Sequence, residues 1–300
     1  RSGGAGGQNV NKVESGVRLR YNWRNPNTGE IIAMASDTDF NLNRPADLSS
    51  LFTEEELEDP AGTFLLQEAY KDREDVLEAM SYRSQLLALR QQVQMNFAVS
   101  YAYEPGSTSK GITLSACMEE GVLTKDHVEN CNHEIRVANY IIHCHQEQSC
   151  GDLIPIEAFG RSCNVCFVKY GLLLGAKGLA KYQELFNLGQ KTGIDLPGEA
   201  NTSYLLYTED TFTDIDVACN AFGQGYCLTM VQMASIYSSI INGGYYYEPH
   251  VVTELRDLEG NVVSEIEPTL VRRTVSKETS EYMREAMRYV ITNGTAGAAG

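Results

Sequence analysis

A chain break set directly against a helix limits the architectures open to this sequence. Pro105-Gly106 interrupts any regular structure before it, because proline lacks a backbone N–H and glycine readily turns left-handed. Immediately afterwards Ile112, Ala116 and Cys117 share one helical face that continues to about Leu123. Ser107 is therefore expected to open a helix that buries that face, and a buried helix needs other layers around it.

The four residues at this break also carry chemistry. Ser107-Thr108-Ser109-Lys110 places a hydroxyl and an amine three residues apart on one face. A lysine within hydrogen-bond reach can take the serine's proton if it is neutral part of the time. That requires burial or a second cation to lower its pKa from roughly 10.4. A helix start adds free N–H groups and a positive dipole end, suited to an oxyanion. The plain alternative is an N-cap serine beside a solvated lysine.

Elements on either side are legible from periodicity. Val17, Leu19, Tyr21 and Trp23 alternate with polar residues, Asn25 to Gly29 form a turn cluster, and Ile31 to Ala35 is apolar, which predicts a hairpin. Thr53 to Glu56 has capping-box spacing, and the acidic stretch that follows to about Met95 predicts surface helix without chemistry. Helices are expected from near Asn164, over Ala176 to Leu188 with Gly189 as a stop, over Met230 to Ile241, and from about Ser276 to Ile291. Lys191 to Glu199 predicts a loop, His250 to Ile266 two strands joined at Glu259-Gly260-Asn261, and Tyr245-Tyr246-Tyr247 sheet packing rather than a ligand platform. The tail from Thr292 to Gly300 has no regular pattern, so the chain is expected to end within a connection.

Composition sets the remaining bounds. With 43% hydrophobic residues, 300 residues can bury one large core. The 24 basic and 40 acidic residues leave a formal charge of -16, which argues against nucleic acid as the main partner. Residues 1–24 hold five bases against Glu14, a charge of +4, so the rest carries -20. No apolar run approaches the roughly 20 residues that span a bilayer, so an anchor or export signal is expected outside this sequence.

Eight cysteines permit disulfides in an oxidising compartment. Cys131, His133, His143, Cys144, His145 and Cys150 lie close enough to suggest zinc, and Cys163 with Cys166 has CxxC spacing. None of these spacings is a recognised finger. Disulfide or buried thiol is the preferred expectation, with no metal.

Tyr103 to Lys110 (YEPGSTSK) resembles the first active-site motif of penicillin-binding proteins, and Ser162-Cys163-Asn164 has the form of their second. Asn25 to Ser36, Thr192 to Ala200 (TGIDLPGEA), Phe222 to Gly225 (FGQG) and Ile241 to Val251 extend the likeness to a class B member over about residues 24–300. Gly111 and Ser109 stand where bulkier residues are usual, and residues 58–92 match poorly. The resemblance implies an α/β (α+β type) fold like that of penicillin-binding proteins and serine β-lactamases. In it a helical subdomain stands beside a central antiparallel sheet, here incomplete at the C-terminus.

By the same resemblance, Ser107 attacks the D-Ala-D-Ala carbonyl of a peptidoglycan stem peptide with Lys110 as base. Ser162 and Asn164 relay the proton and hold substrate, the Cys163 backbone touches substrate, and no metal or organic cofactor is required. It further implies β-lactams as covalent inhibitors, elongation or division proteins as partners, and the extracytoplasmic face of a bacterial membrane. Lys191-Thr192-Gly193 spells the family's third motif but sits in a predicted loop inside TGIDLPGE. The true third motif is expected beyond Gly300. On that expectation the chain is catalytically incomplete, and uncovered apolar faces and sheet edges lower its stability. An inactive β-lactam-binding remnant is then the alternative.

Residues 1–23 form a second region. Gly3 to Lys12 resembles the GGQ loop of bacterial peptide-chain release factors, with Gly6, Gly7 and Gln8 as its core. That resemblance implies peptidyl-tRNA hydrolysis, which the -20 remainder opposes. The expectation is a disordered tail leading into a strand.

Overall fold

The structure, a computed structural model, describes residues 23–34, 43–44, 46–49, 51–145 and 149–299. Gly6, Gly7 and Gln8, and the expected strand up to residue 22, lie outside the described residues.

β1 (Trp23–Arg24) pairs antiparallel with β2 (Ile31–Ala33) across the predicted turn, where the Asn25 carbonyl accepts from the Thr28 and Gly29 N–H groups. Gly29 has φ 85°, a left-handed value that suits glycine. The stretch expected as surface helix is broken into α1 (Glu54–Glu58), α2 (Phe64–Ala69), α3 (Glu74–Ala79) and α4 (Tyr82–Gln94). The capping box at Thr53 and Glu56 is present. Leu66, Leu77, Leu89 and Val93 from this stretch gather with Leu48 into a small core of their own, which a single straight helix could not do.

α5 (Phe97–Ser100) and β3 (Ala102–Tyr103) lead into a 3₁₀ turn over Gly106–Ser109 and then α6 (Lys110–Glu119). Every residue of α6 from Lys110 to Cys117 is buried. The sequence showed one apolar face; the structure surrounds the helix. The small residues Gly111, Thr113, Ser115 and Ala116 allow that by letting neighbours approach on the other sides. The Thr113 hydroxyl, for example, donates to the Ala221 carbonyl at 2.9 Å.

β4 (Glu129–Cys131), β5 (Glu134–Val137), β6 (Tyr140–His143) and β7 (Gly151–Leu153) follow, with β4 paired to β7 and β5 to β6. α7 (Pro155–Gly160) precedes α8 (Asn164–Leu185), in which Gly175 at φ 73° joins the two helices expected separately. Gly171 lets α8 touch α9 (Asp214–Asn220) and the residue after it, since a Cβ there would sit 2.4 Å from that of Ala221. β8 (Leu228–Thr229) pairs with β3, and α10 (Met230–Ile241) spans the predicted range.

β9 (Tyr245–Tyr247) pairs with β12 (Leu270–Arg273), and β10 (Glu254–Arg256) with β11 (Val262–Glu265). α11 (Lys277–Asn293) runs two residues beyond Ile291, and a 3₁₀ turn over Gly297–Ala299 follows it, so the tail expected to lack regular structure holds some. Among the described residues the strands form six antiparallel pairs, so the sheet component is present in fragments. One core extends from α6 through α8, α9, α10 and α11. No helix among the described residues is long and apolar enough to cross a membrane.

Candidate active site

Ser107 is placed by the turn that its sequence predicts. Thr108 and Ser109 hydroxyls donate to the Pro105 and Gly106 carbonyls at 2.6 and 2.9 Å, which closes the 3₁₀ turn. One residue later the backbone enters α6, and the Lys110 side chain runs back along the same face. Lys110 is 1% exposed, whereas Ser107 is half-buried and reachable from solvent.

Lys110 Nζ joins the two motifs. It lies 3.0 Å from Ser107 Oγ, and 2.8 Å each from the Ser162 carbonyl oxygen, Ser162 Oγ and Asn164 Oδ1. The orientation of Asn164 is fixed independently, because its Nδ2 donates to the His143 carbonyl at 3.2 Å. Two of the four neighbours, a carbonyl and an amide oxygen, can only accept. They use the two N–H bonds of a neutral amine, so its lone pair is left to the hydroxyls of Ser107 and Ser162. Burial pushes the Lys110 pKa down to about 7, against a smaller opposing pull from Cys163, Cys144 and Cys166.

Ser162 sits at φ 51°, a left-handed value uncommon outside glycine, which aims both its hydroxyl and its carbonyl at Lys110. The Cys163 N–H donates to the Ala158 carbonyl, and its carbonyl accepts from Phe167 N–H as α8 begins. The Cys163 thiol is buried and its pKa is raised, chiefly by hydrogen bonding with Cys144 and Cys166.

The FGQG segment backs Ser107. Gly223 accepts from Gly106 N–H at 2.9 Å, and Glu104 Oε1 accepts from Gly225 N–H at 2.9 Å. Gly111 has a complementary partner that sequence reasoning missed: a Cβ there would lie 2.5 Å from the Tyr237 hydroxyl, which donates to the Thr108 carbonyl. The signal was the unusual glycine itself, since a deleted side chain on a buried helix beside the motif serine asks what fills the space.

Lys191-Thr192-Gly193 is not brought to this cluster. Lys191 is exposed, the segment has no strand, and Glu199 accepts from the Thr192 N–H and hydroxyl at 2.6 Å each. Asp195 in turn accepts from Val251 and Val252 N–H at 2.8 and 2.9 Å, which ties the TGIDLPGE loop to the end of the YYYEPHV segment.

The cysteines take the thiol form of the expectation, most of them buried: Cys131 and Cys144 are not in a disulfide, nor is any other cysteine. They converge instead with Cys150 and Cys163, all four sulfurs lying within 4.8 Å of one another. Linear spacing hid this, because a strand pair, a hairpin and a helix cap bring the four together.

Residues 24–300 match the family described as the penicillin binding protein transpeptidase domain. Stage V sporulation protein D of Bacillus subtilis is 32% identical over 274 residues, which cover 90% of this chain and 36% of that protein. Penicillin-binding protein 3 of Mycobacterium tuberculosis in complex with aztreonam superposes with a TM-score of 0.70 at 25% identity, over 92% of this chain and 54% of that one. The chain thus spans about a third of the length of that sporulation protein. Peptide chain release factor 1 of Bacteroides fragilis is 73% identical over 41 residues, only 11% of that protein. A family match over nearly the whole chain, with the serine–lysine pair and the second motif joined as described, identifies this chain as a member of the penicillin-binding protein transpeptidase family.

Proposed function

We propose that this domain is a peptidoglycan D,D-transpeptidase that works through an acyl-enzyme at Ser107. The observation that carries the reading is Lys110 Nζ, buried and within 3.0 Å of Ser107 Oγ while it also touches Ser162 and Asn164. Lys110 takes the proton as Ser107 Oγ attacks the carbonyl between the two D-alanines of a stem peptide. Ser162 carries that proton onward to the departing amine, and D-Ala leaves. The Ser107 N–H, in the first turn where no helical acceptor exists, faces the oxyanion. An amine from a neighbouring stem peptide then attacks the ester, so one amide is broken, one is formed and Ser107 is regenerated.

The M. tuberculosis relative is complexed with aztreonam, and by the same chemistry β-lactams would acylate Ser107 Oγ here. The setting is the outer face of a bacterial membrane, among elongation or division proteins. No metal or organic cofactor takes part in these steps.

The test is D-Ala release from a peptide ending in D-Ala-D-Ala. Release that vanishes in Ser107→Ala supports the reading, whereas penicillin acylation without any release would favour the remnant. The pH dependence has a definite sign. Below about 7 Lys110 is protonated and cannot accept, so acylation should rise about tenfold per pH unit there and level off above about 7. A rate flat from pH 5 to 8 would remove Lys110 as the base.

A further inference from the structure

Cys131, Cys144, Cys150 and Cys163 come from four separate places: the end of β4, the residue after β6, the residue before β7, and the N-cap of α8. Cys131, Cys144 and Cys163 are buried and Cys150 is partly so. Their sulfurs lie within 4.8 Å of one another, with 3.8 Å between Cys144 and Cys163. A tetrahedral zinc ion with bonds of about 2.3 Å sets its sulfurs about 3.8 Å apart, whereas a disulfide would need about 2.05 Å. The cluster therefore has the size of a single ion. Four sulfurs and no oxygen ligand favour a thiophilic ion over magnesium, calcium or manganese.

The geometry points to a tetrathiolate site for one Zn²⁺ ion, formed by Cys131, Cys144, Cys150 and Cys163, that holds Ser162 and Asn164 in register with Lys110. The metal site stands on its own geometry; its effect on the two motif residues rests on the acylation reading. On binding, four thiols release their protons to solvent and four sulfur lone pairs form bonds to the metal, with no change of oxidation state. The site is closed, without an open position for a reacting water, so the ion is structural.

Chain connectivity ties the ligands to the motif residues. β4 with β7 and β5 with β6 form two small strand pairs beside the motif residues, and the three proposed ligands in or beside them are fastened to the fourth, Cys163, at the start of α8. Cys163 stands between Ser162, held at φ 51°, and Asn164. The residue before Cys144, His143, gives its carbonyl to Asn164 Nδ2. Both sides of Asn164 are thus one residue from a ligand, and the strained Ser162 is fixed at its next residue. Such fastening matters because a shift of about 1 Å at a reacting centre can cost on the order of 10²-fold in rate.

The test uses the 300-residue chain purified under reductant without chelator. Metal analysis should find one zinc per chain, and exchange with Co²⁺ should give the charge-transfer and ligand-field bands of a tetrahedral tetrathiolate. Cys131→Ser and Cys150→Ser should each lose the ion, while Cys219→Ser and Cys227→Ser keep it. Removing the ion with a chelator should lower the penicillin acylation constant at least tenfold with little change in non-covalent Kd, and Zn²⁺ should restore it. A wild-type chain that takes up neither Zn²⁺ nor Co²⁺ under reductant overturns the site, whatever becomes of the acylation reading. An ion whose removal leaves the acylation constant unchanged overturns the positioning role.

Discussion

Lys110→Met is expected to slow acylation of Ser107 by about 10²–10⁴-fold, the range that a positioned general base commonly supplies. Methionine is nearly as long as lysine and fits an apolar surround, so the variant removes the amine more than the volume. It also leaves the Ser162 carbonyl and Asn164 Oδ1 without their donor, a cost of about 1–3 kcal/mol in stability. The informative companion is Lys110→Arg. Arginine keeps a cation and several donors, but it does not give up a proton near neutral pH. If Lys110 merely tied the two motifs together, arginine would recover most of the rate. The base assignment predicts that it does not, and stopped-flow acylation with a fluorescent penicillin separates the two.

Gly223→Ala should have the largest effect on folding among substitutions in the site. Gly223 sits at φ 92°, and an added Cβ would lie 1.9 Å from the Gly106 carbonyl oxygen and 2.3 Å from Ser109 Oγ. Left-handed strain and overpacking together predict about 2–6 kcal/mol of destabilisation. Because Gly106 adjoins Ser107, relief of the clash moves the nucleophile, and acylation should fall more than tenfold in whatever fraction still folds. Gly260→Ala is the control: φ there is 89°, yet nothing lies within 4 Å of the added Cβ. It should show strain alone, a cost of about 1–3 kcal/mol, with acylation unchanged. Urea denaturation read beside acylation rates checks both. Equal losses of stability in the two variants would mean that the close approach of the FGQG segment is unimportant.

Local signals carried far in this chain. The capping box at Thr53, the break at Pro105-Gly106, the Met230 to Ile241 helix and the Ser276 cap are written in a few neighbouring residues, and the structure has each of them. The first and second motifs were legible as motifs, but their meeting at Lys110 Nζ depends on α6 and α8 packing, which no local pattern encodes. Long-range gathering explains what was missed. The helical stretch before Met95 broke into four because its apolar residues had to share a core. Tyr237 lies 126 residues after Gly111 in the sequence and fills its space only in the fold. The four cysteines have no finger-like spacing because two strand pairs set their positions. The likeness to the second motif could not show that the Cys163 N–H donates to the Ala158 carbonyl in α7.

Every proposed step depends on Ser107 as the nucleophile that Lys110 activates. Intact-mass spectrometry after incubation with a labelled penicillin tests this on the chain and on Ser107→Ala, with circular dichroism to confirm that both are folded. The account predicts one penicillin adduct on the chain and none on Ser107→Ala. A folded chain that takes up no adduct, or an adduct that persists in Ser107→Ala, would contradict it.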